Sequence, residues 1–101
     1  MASLAPENIT KEKIVKPNKY YVVLLNDDYT TMEFVVEVLI KFFGKSNDAA
    51  HALMLKIHIE GEAVCGMYPF DVAQTKVSQV IEFARKNGQP LMCIIREELD
   101  S

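Results

Sequence analysis

Apolar positions along this chain change their spacing in a way that predicts alternating strands and helices. Residues 20–25 are β-branched, aromatic or apolar throughout, which is typical of a buried strand. Apolar residues then recur at helical spacing from Met32 to Phe43, and Gly44 supplies the expected end of the helix. Thr30 and Glu33 have the spacing of a capping box, so we expect Thr30 to cap this helix.

The rest of the chain predicts two more helices and two more strands. Ser46 or Asn47 caps the second helix and Gly61 follows its end, while Pro69 and Asp71 introduce the third. Short apolar runs with strand composition lie before and after the third helix. The predicted elements after the first helix are a helix to about 60, a strand over 63–68, a helix ending at 87–88 and a strand over 91–96.

This order, β-α-α-β-α-β, predicts an α+β fold of two layers, in which a three-stranded antiparallel sheet packs against three helices. The polar residues before the first strand have no useful periodicity and include Pro6 and Pro17. We therefore expect a flexible N-terminal tail over 1–18 and one folded domain over 19–101.

Composition narrows the class of protein. The chain has 101 residues, of which half are apolar and a quarter charged, as expected for one soluble domain. A net charge of −3 and a pI of about 5.3 argue against a nucleic-acid partner. The longest apolar runs are too short to span a bilayer, and residues 1–10 lack a signal-peptide pattern. Cys65 and Cys93 lie in strand-like apolar runs, so we expect buried, reduced thiols in the cytoplasm.

Three polar side chains, Asn26, Asp27 and Asp28, interrupt the apolar pattern between the first strand and the first helix. Two adjacent carboxylates repel each other, and each prefers water or a cationic partner. One interpretation is a polar turn before a helix N-terminus, where Asp is favourable. The other is a cation site, because an ammonium needs several acceptors that converge on it. The apolar residues beside the pair suggest that an apolar group is attached to this cation.

Neither a metal site nor catalysis is favoured. His51 and His58 are seven residues apart, which is about 10 Å along a helix, whereas two ligands of one zinc ion lie within about 4 Å of each other. No nucleophile elbow or phosphate loop is present. We therefore expect no cofactor and no enzyme activity. His58 is interpreted either as a histidine at the edge of the core or as an acceptor at a ligand site.

Four segments together resemble the ClpS adaptors, in order and with similar spacing. They are Tyr21–Val35, Leu53–Gly61, Val72–Val77 and Pro90–Cys93. The resemblance covers about residues 19–96. It implies an adaptor that recognises proteins whose first residue is Leu, Phe, Tyr or Trp. It also implies delivery of these proteins to a Clp AAA+ unfoldase of the ClpA or ClpC type, through the N-terminal domain of that unfoldase.

The resemblance also implies roles for individual residues. Asn26, Asp28 and His58 would hold the α-amino group of the substrate, with Asp27 assisting. Two further residues would belong to the face that docks on the unfoldase. In full, the implied unfoldase contacts are Asp71 and Lys76, and the implied side-chain pocket consists of Leu24, Leu25, Thr30, Met32, Val35, Met54, Ile57 and Leu91.

An alternative of a different class is a non-catalytic protein–protein interaction domain without a small-ligand pocket. Such a domain would bind a folded partner through the broad apolar surface of the first helix, since similar two-layer folds can serve different functions. Binding of a short peptide that begins with Leu or Phe separates the two hypotheses.

Deletion of the predicted tail should separate binding from delivery. Residues 1–18 are too polar to pack, so peptide affinity and thermal stability should be nearly unchanged. The resemblance implies that the tail enters the unfoldase pore, so the shortened protein should no longer speed degradation of a Leu- or Phe-initiated reporter by the Clp machine. Delivery at the full rate would show that the tail is only a linker.

Overall fold

The structure, a computed structural model, describes residues 20–97 and confirms the predicted β-α-α-β-α-β order. The predicted N-terminal tail over 1–18 lies outside the described residues. The elements are β1 (Tyr20–Leu25), α1 (Met32–Phe43), α2 (Asn47–Glu60), β2 (Glu62–Tyr68), α3 (Phe70–Lys86) and β3 (Met92–Glu97).

Strand β1 forms the centre of an antiparallel sheet with the order β2-β1-β3. In this register Leu24 lies between Ala63 of β2 and Cys93 of β3. The central position accounts for the continuous apolar sequence of β1, because Val22, Val23 and Leu24 have no exposed surface. The predicted strand was therefore correct in both position and burial.

The two faces of the sheet are covered in different ways. Val22 and Leu24 belong to the core that the three helices complete. Val23 points to the opposite face, because successive strand residues alternate between faces. On that face Arg96 of β3 forms an ion pair with Glu62 of β2, and the two side chains cross β1 diagonally. This crossing helps to account for the full burial of Val23, which lies on the face away from the described helices.

Helix α1 begins one residue later than the capping-box pattern predicted. The N-cap is Thr31, whose hydroxyl accepts a hydrogen bond from the Phe34 N–H. The prediction that Thr30 caps this helix was wrong, because the Thr30 hydroxyl donates to Asp27 instead. The predicted caps of α2 are confirmed: Ser46 precedes it and Gly61 follows it with a positive φ.

Both cysteines are free and buried, as predicted. Burial raises the pKa of the Cys65 thiol to about 11 and that of the Cys93 thiol to about 12. Thiols with such values are largely uncharged at neutral pH and behave as small apolar side chains. Among residues 20–97, no helix is both long and apolar enough to cross a membrane.

Candidate functional site

A cavity of about 240 Å³ opens where the end of β1, the first turn of α1 and the last turns of α2 meet. Its lining includes both polar and apolar side chains. Drug-sized ligands occupy pockets of about 300–1,000 Å³, so this cavity suits a smaller group. Its lining consists of Asn26, Asp27, Asp28, Thr30, Met32, Val35, Met54, Ile57 and His58.

One backbone hydrogen bond brings the two polar parts of the lining together. The Asn26 N–H donates to the Gly61 carbonyl over 2.8 Å, so the chain leaving β1 is fixed beside the end of α2. His58 lies in the last turn of α2 and reaches the cavity from there. Residues 26–31 are named the acidic loop below. Four of them line the same cavity as His58 although they are far from it in the sequence.

Within the acidic loop, Asp27 is committed to the local structure. Its Oδ1 accepts from the Tyr29 N–H at 2.8 Å and the Thr30 N–H at 2.7 Å, and its Oδ2 accepts from the Thr30 hydroxyl at 2.7 Å. Burial alone would raise the pKa of Asp27, but these hydrogen bonds and the charge of Arg85 hold that pKa below its ordinary value of 3.8. Asp27 is thus an ionised support of the loop.

The neighbouring acceptors are available to a ligand. Within residues 20–97, the side chains of Asn26, Asp28 and His58 make no hydrogen bond or ion pair with the protein. All three are exposed to solvent and all three line the cavity. A carboxylate, an amide oxygen and a neutral imidazole nitrogen can each accept from a different direction, which is what an ammonium group requires.

The apolar wall combines fixed and movable side chains. Ile57 is 2% exposed, Val35 7% and Met54 8%, so these three belong to the core and present only their edges to the cavity. Met32, the first residue of α1, is 44% exposed and stands at the cavity mouth. Methionine is flexible and polarisable, and it adapts to side chains of different shapes.

The structure brings together nine of the predicted site residues, and their roles in binding stay a prediction. Three residues implied for the side-chain pocket are not in the cavity lining. Leu24 and Leu91 are fully buried in the core, because β1 is central and Leu91 directly precedes β3. Leu25 is half-buried on the sheet face opposite the helices, between Glu62 and Met92 in the register.

Asp71 and Lys76 lie on α3, in different surroundings. Asp71 is exposed in the first turn of the helix. The Lys76 ammonium donates to the Phe42 carbonyl at the end of α1 over 2.7 Å and lies 5.7 Å from the centre of the Tyr68 ring. Lys76 therefore supports the packing of α3 on α1, a role that its sequence position does not reveal.

His51 is separate from the site. Its Nδ1 lies 2.9 Å from the Asn47 carbonyl oxygen, to which it donates. It stands in the first turns of α2, whereas His58 stands in the last turns. Among the described residues, no group of three or more histidine, cysteine or acidic side chains is arranged to hold a metal ion.

Comparison with known proteins identifies the family of this architecture. The family model described as "ATP-dependent Clp protease adaptor protein ClpS" matches residues 15–94. An adapter protein ClpS of Wolinella succinogenes is 54% identical over 93 residues, which are 90% of this chain and 91% of that protein. One from Parvibaculum lavamentivorans is 52% identical over 89 residues, covering 88% of this chain and 81% of that protein.

A solved structure has the same fold. It is Agrobacterium tumefaciens ClpS2 bound to L-phenylalaninamide, with a TM-score of 0.79 and 38% identity. The similarity covers 82% of this chain and 100% of that one. This agreement confirms the predicted α+β architecture of three strands and three helices.

The bonds of Asp27 predict a pH dependence of stability. Because the pKa of Asp27 is lower in the folded state, its ionised carboxylate stabilises the fold. This stabilisation is complete above the unfolded pKa of about 3.9 and is lost as pH falls through the folded pKa. Asp27→Asn should lower the free energy of unfolding by about 1 kcal/mol at pH 7. Urea titrations should show this difference shrinking below pH of about 3.8.

The threonine hydroxyl provides a matched control for this prediction. Thr30→Val removes the donor to Asp27 and should raise the Asp27 pKa, measured by NMR titration of the side-chain carboxyl. Thr75→Val removes a hydroxyl that donates to the Asp71 carbonyl instead, and should leave the Asp27 pKa unchanged. An Asp27 pKa that is the same in all three proteins would contradict the assigned hydrogen bond.

Proposed function

Since this chain belongs to the ClpS family of ATP-dependent Clp protease adaptor proteins, we propose that its cavity binds the first residue of substrate proteins when that residue is Leu, Phe, Tyr or Trp. It functions as an adaptor of the Clp protease, which degrades the proteins so bound. The observation that carries the proposal is the combination, in one cavity, of an apolar wall and three acceptors that have no partner among residues 20–97.

The polar and apolar side chains of the cavity lining correspond to the two parts of the proposed ligand. An N-terminal residue has an ammonium group, with three donors and no acceptor, directly attached to the carbon that bears its side chain. Asn26, Asp28 and His58 would accept from the ammonium group while the side chain enters between Met32 and Met54. The L-phenylalaninamide bound by the Agrobacterium relative has this combination of groups.

Both halves are needed for useful affinity. Burial of a Leu or Phe side chain contributes about 1.5–3 kcal/mol, and each hydrogen bond to a charged group contributes about 1.5–3 kcal/mol. Together, two or three such bonds and the buried side chain outweigh the cost of association. The net binding free energy of about 8 kcal/mol corresponds to micromolar affinity. The side chain alone would not reach this value, so internal Leu or Phe residues, which lack the ammonium, would be ignored.

Delivery requires a second surface. We infer that the partner is the N-terminal domain of an unfoldase of the ClpA or ClpC type, and that the exposed Asp71 contacts it directly. Lys76 would act through the position of α3, because its ammonium is already bonded to the Phe42 carbonyl. The predicted tail would supply the segment that enters the unfoldase.

The protein would bind its substrates without catalysis, since amine capture needs acceptors but no nucleophile.

A cytoplasmic location is supported by the two free, buried cysteines. The alternative of an interaction domain without a small-ligand pocket is disfavoured, because a cavity is present, five of its nine lining residues are polar and a sixth, Met32, is exposed.

Acetylation of the ligand amine tests the cation site. A peptide that begins with Phe should bind, and its Nα-acetylated form should lose most of its affinity, because acetylation removes the charge and two donors but keeps the side chain. Fluorescence anisotropy measures both affinities. Equal binding of the two peptides would refute the proposed function.

Removal of one charge from the protein tests the same interaction from the other side. Asp28→Asn should weaken binding of the Phe peptide by about tenfold or more. Asp48→Asn, which removes an equal charge from the exposed first turn of α2, serves as the control and should leave affinity nearly unchanged.

Enlargement of the cavity mouth tests the role of Met32. A β-branched Ile or Val at the peptide N-terminus places its bulk next to the backbone, where Met32 would collide with it. Met32→Ala should therefore bind Ile and Val peptides more tightly than the wild-type protein does, by about tenfold. If it binds them no better, Met32 does not limit which side chains enter.

A further inference from the structure

Gln89 contacts the start of α1 from the turn between α3 and β3. Its side-chain Oε1 accepts a hydrogen bond from the Thr31 N–H over 3.2 Å, across 58 positions of the sequence. Thr31 is the N-cap of α1, and the next residue is Met32 at the cavity mouth. Gln89 itself does not line the cavity, so its effect on a ligand would have to act through this bond.

The turn that carries Gln89 is held in place at several points. The Gln89 N–H donates to the Ala84 carbonyl over 2.8 Å, and the Gln89 carbonyl accepts from Arg85 Nη1 at 2.9 Å. The same Nη1 donates to the Leu91 carbonyl at 2.9 Å. With its backbone fixed on both sides, Gln89 orders only its side-chain torsions when it bonds to Thr31, so the bond costs less conformational entropy than one from a mobile loop would.

The acidic loop is consequently attached to the fold at each end. At its start the Asn26 N–H is bonded to Gly61 at the end of α2, and at its end the Thr31 N–H is bonded to Gln89. Between these points the bonds of Asp27 to Tyr29 and Thr30 fix the interior of the loop. Among residues 20–97, Gln89 makes the side-chain bond that joins this loop to the turn after α3.

We propose that Gln89 is a positioning residue that fixes the first turn of α1 and so determines how strictly Met32 excludes β-branched N-terminal residues. This inference rests on the proposed function. Without the bond, the Thr31 N–H is left to water and the first turn of α1 gains freedom to move. Met32 then yields more readily to Ile or Val, while Leu and Phe, which do not press on it, are affected less.

The test is the ratio of two dissociation constants, for an Ile peptide and for a Phe peptide, measured by anisotropy. Gln89→Leu removes the acceptor and should lower this ratio by about two- to tenfold. Gln89→Glu keeps an acceptor of the same length and should restore the ratio to within about twofold of wild type. A new negative charge acts equally on the ammonium of both peptides, so it cancels in the ratio. Gln79→Leu, an exposed glutamine on α3, is the matched control.

A double variant identifies the path of the effect. In a Met32→Ala background, Gln89→Leu should not change the ratio further, because the group that it positions is absent. An unchanged ratio in Gln89→Leu alone, or a full effect of Gln89→Leu in the Met32→Ala background, would overturn the inference. Failure of the proposed function is a separate result, since wild-type protein would then bind acetylated and free Phe peptides equally.

Discussion

The site depends on the place where the central strand β1 ends. Strand β1 has a neighbour on each side and its middle residues are fully buried. The chain can therefore turn only after Leu25, where the pairing of β1 with its neighbours ends. There the Asn26 N–H finds the Gly61 carbonyl as its partner, and α2 is brought alongside. This one backbone bond places acceptors from two distant segments on the same cavity, so the geometry of the site follows from the pairing of the sheet.

The two adjacent aspartates of the acidic loop have different surroundings. Asp27 uses both of its oxygens to hold Tyr29 and Thr30, and these bonds keep it ionised. Asp28 is thereby presented to solvent without a partner among the described residues. A single aspartate could not both hold the loop in this way and offer a free carboxylate, so the structure gives the two neighbouring charges different surroundings.

Much of this fold could be predicted from the sequence because its signals were local. Strand β1 was marked by a continuous apolar run, and α2 by a serine at one end and a glycine at the other. The cap of α1 was assigned wrongly because Thr30 and Thr31 are both able to cap a helix. The choice between them depends on Asp27, which takes the Thr30 hydroxyl. A local sequence pattern does not show which of the two threonine hydroxyls Asp27 will bind.

The lining of the cavity was predictable in part for a similar reason. The polar residues of the acidic loop stood out against apolar surroundings, and the family resemblance added the apolar wall. Lys76 and Gln89 gave no such signal, because a lysine or glutamine at a helix or turn is ordinarily solvated. Their partners, the Phe42 carbonyl and the Thr31 N–H, are backbone groups that only the tertiary structure brings near.

Lys76 and Gln89 explain how α1 can hold the side chains that line the cavity in place, although one end of the helix is exposed to solvent. Lys76 binds the carbonyl of Phe42 near the last residue of α1, and Gln89 binds the N–H of Thr31 just before the first. Between them the Phe83 ring of α3 stacks on Phe34 at 5.3 Å and meets Phe42 edge to face, also at 5.3 Å. Along its length, helix α1 is thus attached to α3 and to the turn that follows α3. A binding site held on rigid elements keeps its geometry better than one held on loops, and this attachment fixes the backbone from which Met32 reaches the cavity.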